Sequence, residues 1–161
     1  MPEIRIVCLG TKMPKWVNLA IENYITRIPR SQFEVNLLEV PLIKRTRSSN
    51  IKNILEKESQ KVLASVPQHF VHISLERTGK KIDSEMLSRQ MCTWRDDAQA
   101  VAISIGGPEG FPASHIEKCN QLWSLSDLTM AHPVVRVVLA EQLYRGWSIM
   151  TGHPYHRGSY L

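Results

Sequence analysis

Little in this sequence offers covalent or metal-centred chemistry. The only cysteines, Cys8, Cys92 and Cys119, are scattered and form no C-x-x-C pair. That excludes a disulfide framework and fits small buried hydrophobes in a reducing compartment. Long apolar runs are missing too: Met1-Pro-Glu-Ile-Arg-Ile sets an acid and a base ahead of one short apolar strand. Neither a signal peptide nor a membrane span is expected, and the protein reads as cytoplasmic. There is no G-x-G-x-x-G fingerprint and no acidic residue at dinucleotide spacing, which sets aside a nucleotide-dependent oxidoreductase. Acidic residues are the minority, 15 against 20 Lys and Arg, for a formal charge of +5 and a pI near 9.3. The excess is mild and uneven, which leaves open both a solvated basic surface and an anionic partner.

What the chain does have is a regular alternation. Ile4 to Leu9, Phe33 to Val40, His69 to Leu75, Ala100 to Ile105 and a fifth segment at Trp123 read as strands. Between them lie helical stripes. One carries Trp16, Val17, Ala20, Ile21, Tyr24, Ile25 and Ile28. A second spans 51–66 behind Asn50 or Ser49 as cap, and a third follows Asp83 or Ser84 with Met86, Leu87, Met91 and Trp94. A short helix is expected near Ser114–Gln121. Strands separated by helices predict an α/β fold with a mostly parallel sheet covered on both faces. With 161 residues, 43% hydrophobic content and no repeat, one domain over 1–161 is expected.

The most informative segment is the apolar strand Ala100–Ile105 breaking into Gly106-Gly107-Pro108-Glu109-Gly110. Glycines without Cβ can take φ > 0 and let a ligand approach bare backbone, though such turns are often only tight connections. Trp123-Ser-Leu-Ser-Asp-Leu-Thr-Met-Ala-His-Pro133 then repeats the pattern of strand, polar loop and proline-started helix. Two such loops at one end of a sheet make a site.

Three further features stand out. Lys44, Arg45 and Arg47 crowd one loop, either a solvated surface or a phosphate clamp whose guanidinium forks hold a nucleic-acid backbone. The last helix is apolar on nearly every side, with a narrow polar stripe at Glu141, Arg145 and Ser148. Such a helix needs deep burial or a second subunit, and Glu141 and Arg145 can form an i,i+4 pair. After it comes Gly152-His153-Pro154-Tyr155-His156-Arg157, dense in groups that bind phosphate, stack bases or move protons. His153 and His156 lack a third and fourth ligand, so no metal is expected there or elsewhere in the protein.

These residues resemble the ribosomal large-subunit methyltransferase H family, in the SPOUT class of S-adenosylmethionine-dependent RNA methyltransferases. The resemblance covers nearly the whole chain. It rests on Gly10-Thr-Lys-Met-Pro14, Ile105-Gly-Gly-Pro-Glu-Gly110, Trp123-Ser-Leu-Ser126, His132-Pro133, Val135-Arg-Val137, Glu141, Leu143-Tyr-Arg145 and His153-Pro-Tyr-His-Arg157. It implies a C-terminal trefoil knot, a homodimer, and N3 methylation of a pseudouridine in large-subunit rRNA of the assembled ribosome. S-adenosylmethionine is the implied donor, held among Ile73, Ser74 and Leu75, Gly106 and Gly107, and the run Leu125, Ser126, Asp127, Leu128, Thr129, Met130 and Ala131. Ala131 stands where relatives carry proline. The imide nitrogen must lose a proton, and the candidates for aiding that are His132, Arg145, His153, Tyr155, His156 and Arg157, with Glu109 weaker. A non-catalytic ribosome-binding factor on the same fold is the rival reading, against which the intact glycine turn and tail argue. No role is assigned to residues 158–161.

Overall fold

The computed structural model describes residues 1–158; Ser159, Tyr160 and Leu161 lie outside the described residues. Its strands are β1 (Glu3–Leu9), β2 (Glu34–Val40), β3 (Val71–Lys81), β4 (Val101–Ile105) and β5 (Gln121–Ser124). Its helices are α1 (Lys15–Ile25), α2 (Ile51–Ala64), α3 (Ser84–Asp96), α4 (Ala113–Lys118) and α5 (His132–Thr151), followed by a 3-10 turn at Pro154–Gly158. The strands form one sheet in the order β2-β1-β4-β3-β5, every pair parallel, as the alternation of elements predicts. No helix among the described residues is long and apolar enough to cross a membrane.

Side chains alternate across the strands, so the sheet has two apolar faces. Ile4, Ile6, Cys8, Ile73, Val101 and Ile103 meet Leu87, Met91 and Trp94 of α3 and Leu139, Leu143 and Tyr144 of α5. Val7, Leu9 and Ala102 point the other way, toward Val62 of α2 and Phe111. Asn50 caps α2 by accepting from the Asn53 N–H, and Asp83 caps α3 by accepting from Met86 N–H.

Three expectations shift. The apolar girth of α5 is met largely inside the chain, because α3 packs on one flank and α1 on the other through Val17, Ile21 and Ala140. Ser148, expected on a polar stripe, is fully buried, its hydroxyl donating to the Arg145 carbonyl. Trp16 falls outside the buried stripe of α1 and is 54% exposed, with Leu19 beside it also exposed.

β3 also runs beyond Leu75. Its register against β5 slips between Leu75 and Lys80, after which Lys80 and Lys81 pair with Trp123 and Ser124. Re-pairing brings the chain so close that a Cβ at Gly79 would stand 2.7 Å from the Leu122 and Trp123 backbone. The excursion between the two pairings carries Glu76 and Arg77 to the sheet's C-terminal edge.

The α2/α4 face holds a polar interruption. His72, Ser74, Ser104, His115 and Ser59 are all buried there. Burial pulls the His72 imidazole down to about 4 and that of His115 to about 3, and pushes the Cys119 thiol up to about 11.

Candidate active site

Parallel strands leave their carboxyl ends, and the loops that follow them, on one edge of the sheet. Here the ends of β3, β4 and β5 enclose a cavity of about 740 Å³, within the range of small-ligand sites. Leu75, Glu76 and Arg77 form one wall, Ile105 to Gly110 the second, and Trp123 to Ser126 with Leu128 to Pro133 and Val135 the third.

The glycine turn is shaped by Gly110, whose φ is +74° and whose N–H donates to the Gly107 carbonyl at 3.0 Å. Gly106 and Gly107 stay outside the left-handed region, so the expectation of conformational freedom holds only at Gly110. At Gly107 the constraint is proximity: a Cβ would meet the Leu42 side chain at 3.1 Å and Leu9 at 3.5 Å. The loop before α2 therefore rests on the turn. In the third wall, Ser126 Oγ accepts from the Leu128 N–H at 2.9 Å and sets the course of the loop into α5.

Of the residues expected to hold a cofactor, Leu75, Gly106, Gly107, Leu125, Ser126, Leu128, Thr129, Met130 and Ala131 line this cavity. Ile73 and Ser74 do not line it: both are fully buried within the sheet. Asp127 turns outward, 74% exposed, and pairs with Lys81 at 2.9 Å. Glu76 and Arg77 were not expected, because the register slip that delivers them depends on pairing with a strand over forty residues later. Burial raises the Glu76 carboxyl, and its Oε1 is buried without a partner.

His132 opens α5 at the cavity rim, and both ring nitrogens are committed. Nδ1–H donates to the Gly106 carbonyl at 2.6 Å, while Nε2 accepts from Arg136 Nε at 2.8 Å. That pair of bonds selects the neutral tautomer, and burial lowers the imidazole's pKa further. Arg136 is itself buried, its other nitrogens donating to Glu39 at 2.6 Å and to the Gly10 carbonyl at 2.7 Å. One guanidinium thus ties the ends of β1 and β2 to α5. The sequence presents Arg136 only as a charge inside an apolar helix.

The remaining proton-handling candidates lie elsewhere. α5 rises about 20 Å between His132 and Arg145 and about 30 Å over its length, which carries the tail away from this cavity. Arg145 pairs with Glu141, Tyr155 donates to Glu141 Oε1 at 3.0 Å, and the Tyr155 ring packs edge-on against Tyr144. Burial raises the Tyr155 phenol, and Glu141 adds to that. His153 sits against the Tyr144 and Trp147 rings, and its Nδ1 accepts from the Tyr155 N–H. His156 Nδ1 bonds with the Ser148 hydroxyl at 3.1 Å, and Arg157 donates to the Gly152 carbonyl. The tail is a packed element.

In the basic loop, Arg45 is not available as a phosphate clamp in this conformation. Its fork grips both oxygens of Glu58 at 2.6 and 2.9 Å and both of Glu109 at 3.2 and 2.9 Å. Hydrogen bonding to Arg45 holds the Glu109 carboxyl below its usual range, which makes it a weaker base. Lys44 and Arg47 remain exposed.

Comparison with known proteins bears on this arrangement. A family model described as "Predicted SPOUT methyltransferase" matches residues 2–156. The chain is 40% identical over 155 residues to a Coxiella burnetii (strain Dugway 5J108-111) protein named "Ribosomal RNA large subunit methyltransferase H", covering 96% of this chain and 99% of that protein. Among solved structures, a probable methylase family protein from Haemophilus influenzae Rd KW20 superposes with a TM-score of 0.58 at 13% identity, over 94% of this chain and 69% of the other. A probable methyltransferase from Bordetella pertussis Tohama I gives 0.56 at 15% identity, over 91% and 96%. At those identities the two structures establish likeness of fold.

Proposed function

Because the chain belongs to the SPOUT methyltransferase family, we propose that it moves a methyl group from S-adenosylmethionine to N3 of a pseudouridine in large-subunit rRNA. It acts on the assembled ribosome, in the cytoplasm, as a homodimer whose C-terminal segment is threaded as a trefoil knot. The observation that carries the reading is the cavity at the strand ends, lined by nine of the twelve residues to which the resemblance assigns the methyl donor.

The donor suits the lining. Leu75, Leu125, Leu128, Met130 and Val135 supply apolar walls for a flat base, and backbone groups of the three loops supply polar edges. S-adenosylmethionine brings an activated methyl, so the protein's contribution is alignment and management of the acceptor's proton. His132 acts as a positioning residue: with both nitrogens committed it fixes Gly106, and so the turn, relative to α5. The proton and the acceptor's carbonyl oxygens are handled by the tail. Since α5 carries that tail away from its own cavity, His153, His156 and Arg157 serve the cavity of the partner, and the RNA lies between them. Lys44 and Arg47 add phosphate contacts.

Calorimetry with S-adenosylmethionine, followed by mapping of labelled methyl groups on ribosomes and on free rRNA, tests each part. One bound donor per chain and a single labelled pseudouridine on ribosomes are expected. Ribosome binding without donor binding would instead make the protein a non-catalytic binding factor.

A further inference from the structure

Methyl transfer leaves one buried group without a role. It consists of His72 on β3, Ser104 on β4, Ser59 on α2, and His115 and Cys119 on and just after α4, with neither histidine nor the thiol lining the cavity. His72 Nε2 and His115 Nε2 converge on the Ser104 hydroxyl, at 2.9 and 3.3 Å. One ring nitrogen from each histidine and the Cys119 sulfur lie within 4.8 Å of one another. The far nitrogen of His115, Nδ1, meets Ser59 Oγ at 3.2 Å, the kind of outer hydrogen bond that orients a ligating imidazole. Ser74 Oγ, fully buried on the same face and beside the Cys119 thiol, has no partner with hydrogen-bond geometry.

We propose that His72, His115 and Cys119 form a zinc site, with a water as fourth ligand held by Ser74. Two imidazoles and a thiolate are borderline-to-soft donors, which favours zinc over magnesium or calcium. Ligand atoms around a tetrahedral zinc stand about 3.5 Å apart. The triad closes to that spacing by side-chain torsions, the Ser104 hydroxyl giving up the point where the two rings converge. Binding forms one Zn–S and two Zn–N bonds and releases the Cys119 thiol proton to buffer. The ion would pin α4, a helix of six residues without a side-chain cap, to the sheet between the glycine turn and β5. The sequence conceals the set because His72 on β3 lies more than forty residues from His115 and Cys119 at α4.

The full chain, stripped with chelator and titrated with zinc, is expected to take up one equivalent with a rise in Tm. Cobalt should give tetrahedral absorption with a thiolate charge-transfer band. Zinc should protect Cys119, but not Cys92, from alkylation, which can be read on the unaltered protein by peptide mass. Cys119→Ser should abolish the charge-transfer band and weaken zinc at least tenfold, while His153→Ala with His156→Ala changes neither. Absence of binding by folded wild-type chain would overturn the proposal, as would zinc uptake that leaves Cys119 open to alkylation or that depends on the tail histidines. None of these readouts requires methyltransferase activity.

Discussion

Arg45 holds Glu109 across the gap between the basic loop and the glycine turn, with Nη2 of one 2.9 Å from Oε2 of the other. The same guanidinium neutralises Glu58, which is 1% exposed. The loop expected to meet RNA and the turn expected to hold the methyl donor are therefore mechanically one unit.

Arg45 and its two neighbours should separate on mutation. Arg45→Ala strands the Glu58 charge in the protein interior and should cost about 2–3 kcal/mol, less than a fully buried pair because Arg45 is partly solvated. Lys44→Ala with Arg47→Ala should leave urea unfolding unchanged and instead lower the salt dependence of ribosome binding by about one to two ions. Equal unfolding midpoints for Arg45→Ala and wild type would show that the pair is not structural.

A branched side chain at Gly107 presses on Leu42 and Leu9, so its effect on the cavity is indirect. Gly107→Val should lift the loop from the turn and reduce S-adenosylmethionine affinity at least tenfold while circular dichroism stays native. Calorimetry giving wild-type affinity would remove the turn from the donor site.

Arg136→Lys keeps the charge but cannot reach Glu39, Gly10 and His132 together. A loss of about 2 kcal/mol in stability is expected, with weaker donor binding as His132 loosens from the turn. Stability within error of wild type would contradict the junction.

Acid should undo the polar interruption beneath α4. His72 and His115 are held neutral, near 4 and 3, against about 6.5 in the unfolded chain. Below pH 6.5 the unfolded state binds protons that the folded state refuses, so stability is intact above that value and falls as the pH drops toward 4. Each imidazole contributes up to about 1.4 kcal/mol per pH unit in that window. Urea unfolding of chelator-treated protein at pH 7 and pH 5 measures it. Identical midpoints would mean the two rings are not excluded from water.

Mixed dimers address the shared site. A chain ending at Gly152 should bind donor but methylate nothing, and Gly107→Val chains should fail for the opposite reason. Mixed, they should recover up to about a quarter of wild-type activity, since half the dimers carry one complete site. Verified heterodimers that remain silent, with both parents folded and dimeric, would mean that the tail serves its own subunit or that both sites must be intact.

The sequence revealed those features set by local rules. Asn50 and Asp83 announce their helices, strand alternation announces the two faces, and Pro133 and Gly110 mark the loops of the cavity. Hidden features depend on distant partners. Glu76 and Arg77 reach the cavity only because β3 re-pairs with β5, and Arg45 finds carboxylates on α2 and on the glycine turn. The role of Arg136 is hidden because Glu39 and the Gly10 carbonyl, which accept from it, belong to the opposite end of the chain. The family resemblance named nine residues that line the cavity; it could not tell that Ile73 and Ser74 would be sealed inside the sheet.

The unbroken length of α5, twenty residues from cavity rim to tail, makes that helix a ruler. One residue inserted between His132 and Thr151 would turn everything after it by about 100° and push it about 1.5 Å outward, presenting the tail on a different side. For the proposed shared site, the spacing between His132 and His153 is therefore as much a part of the specification as the identity of either residue.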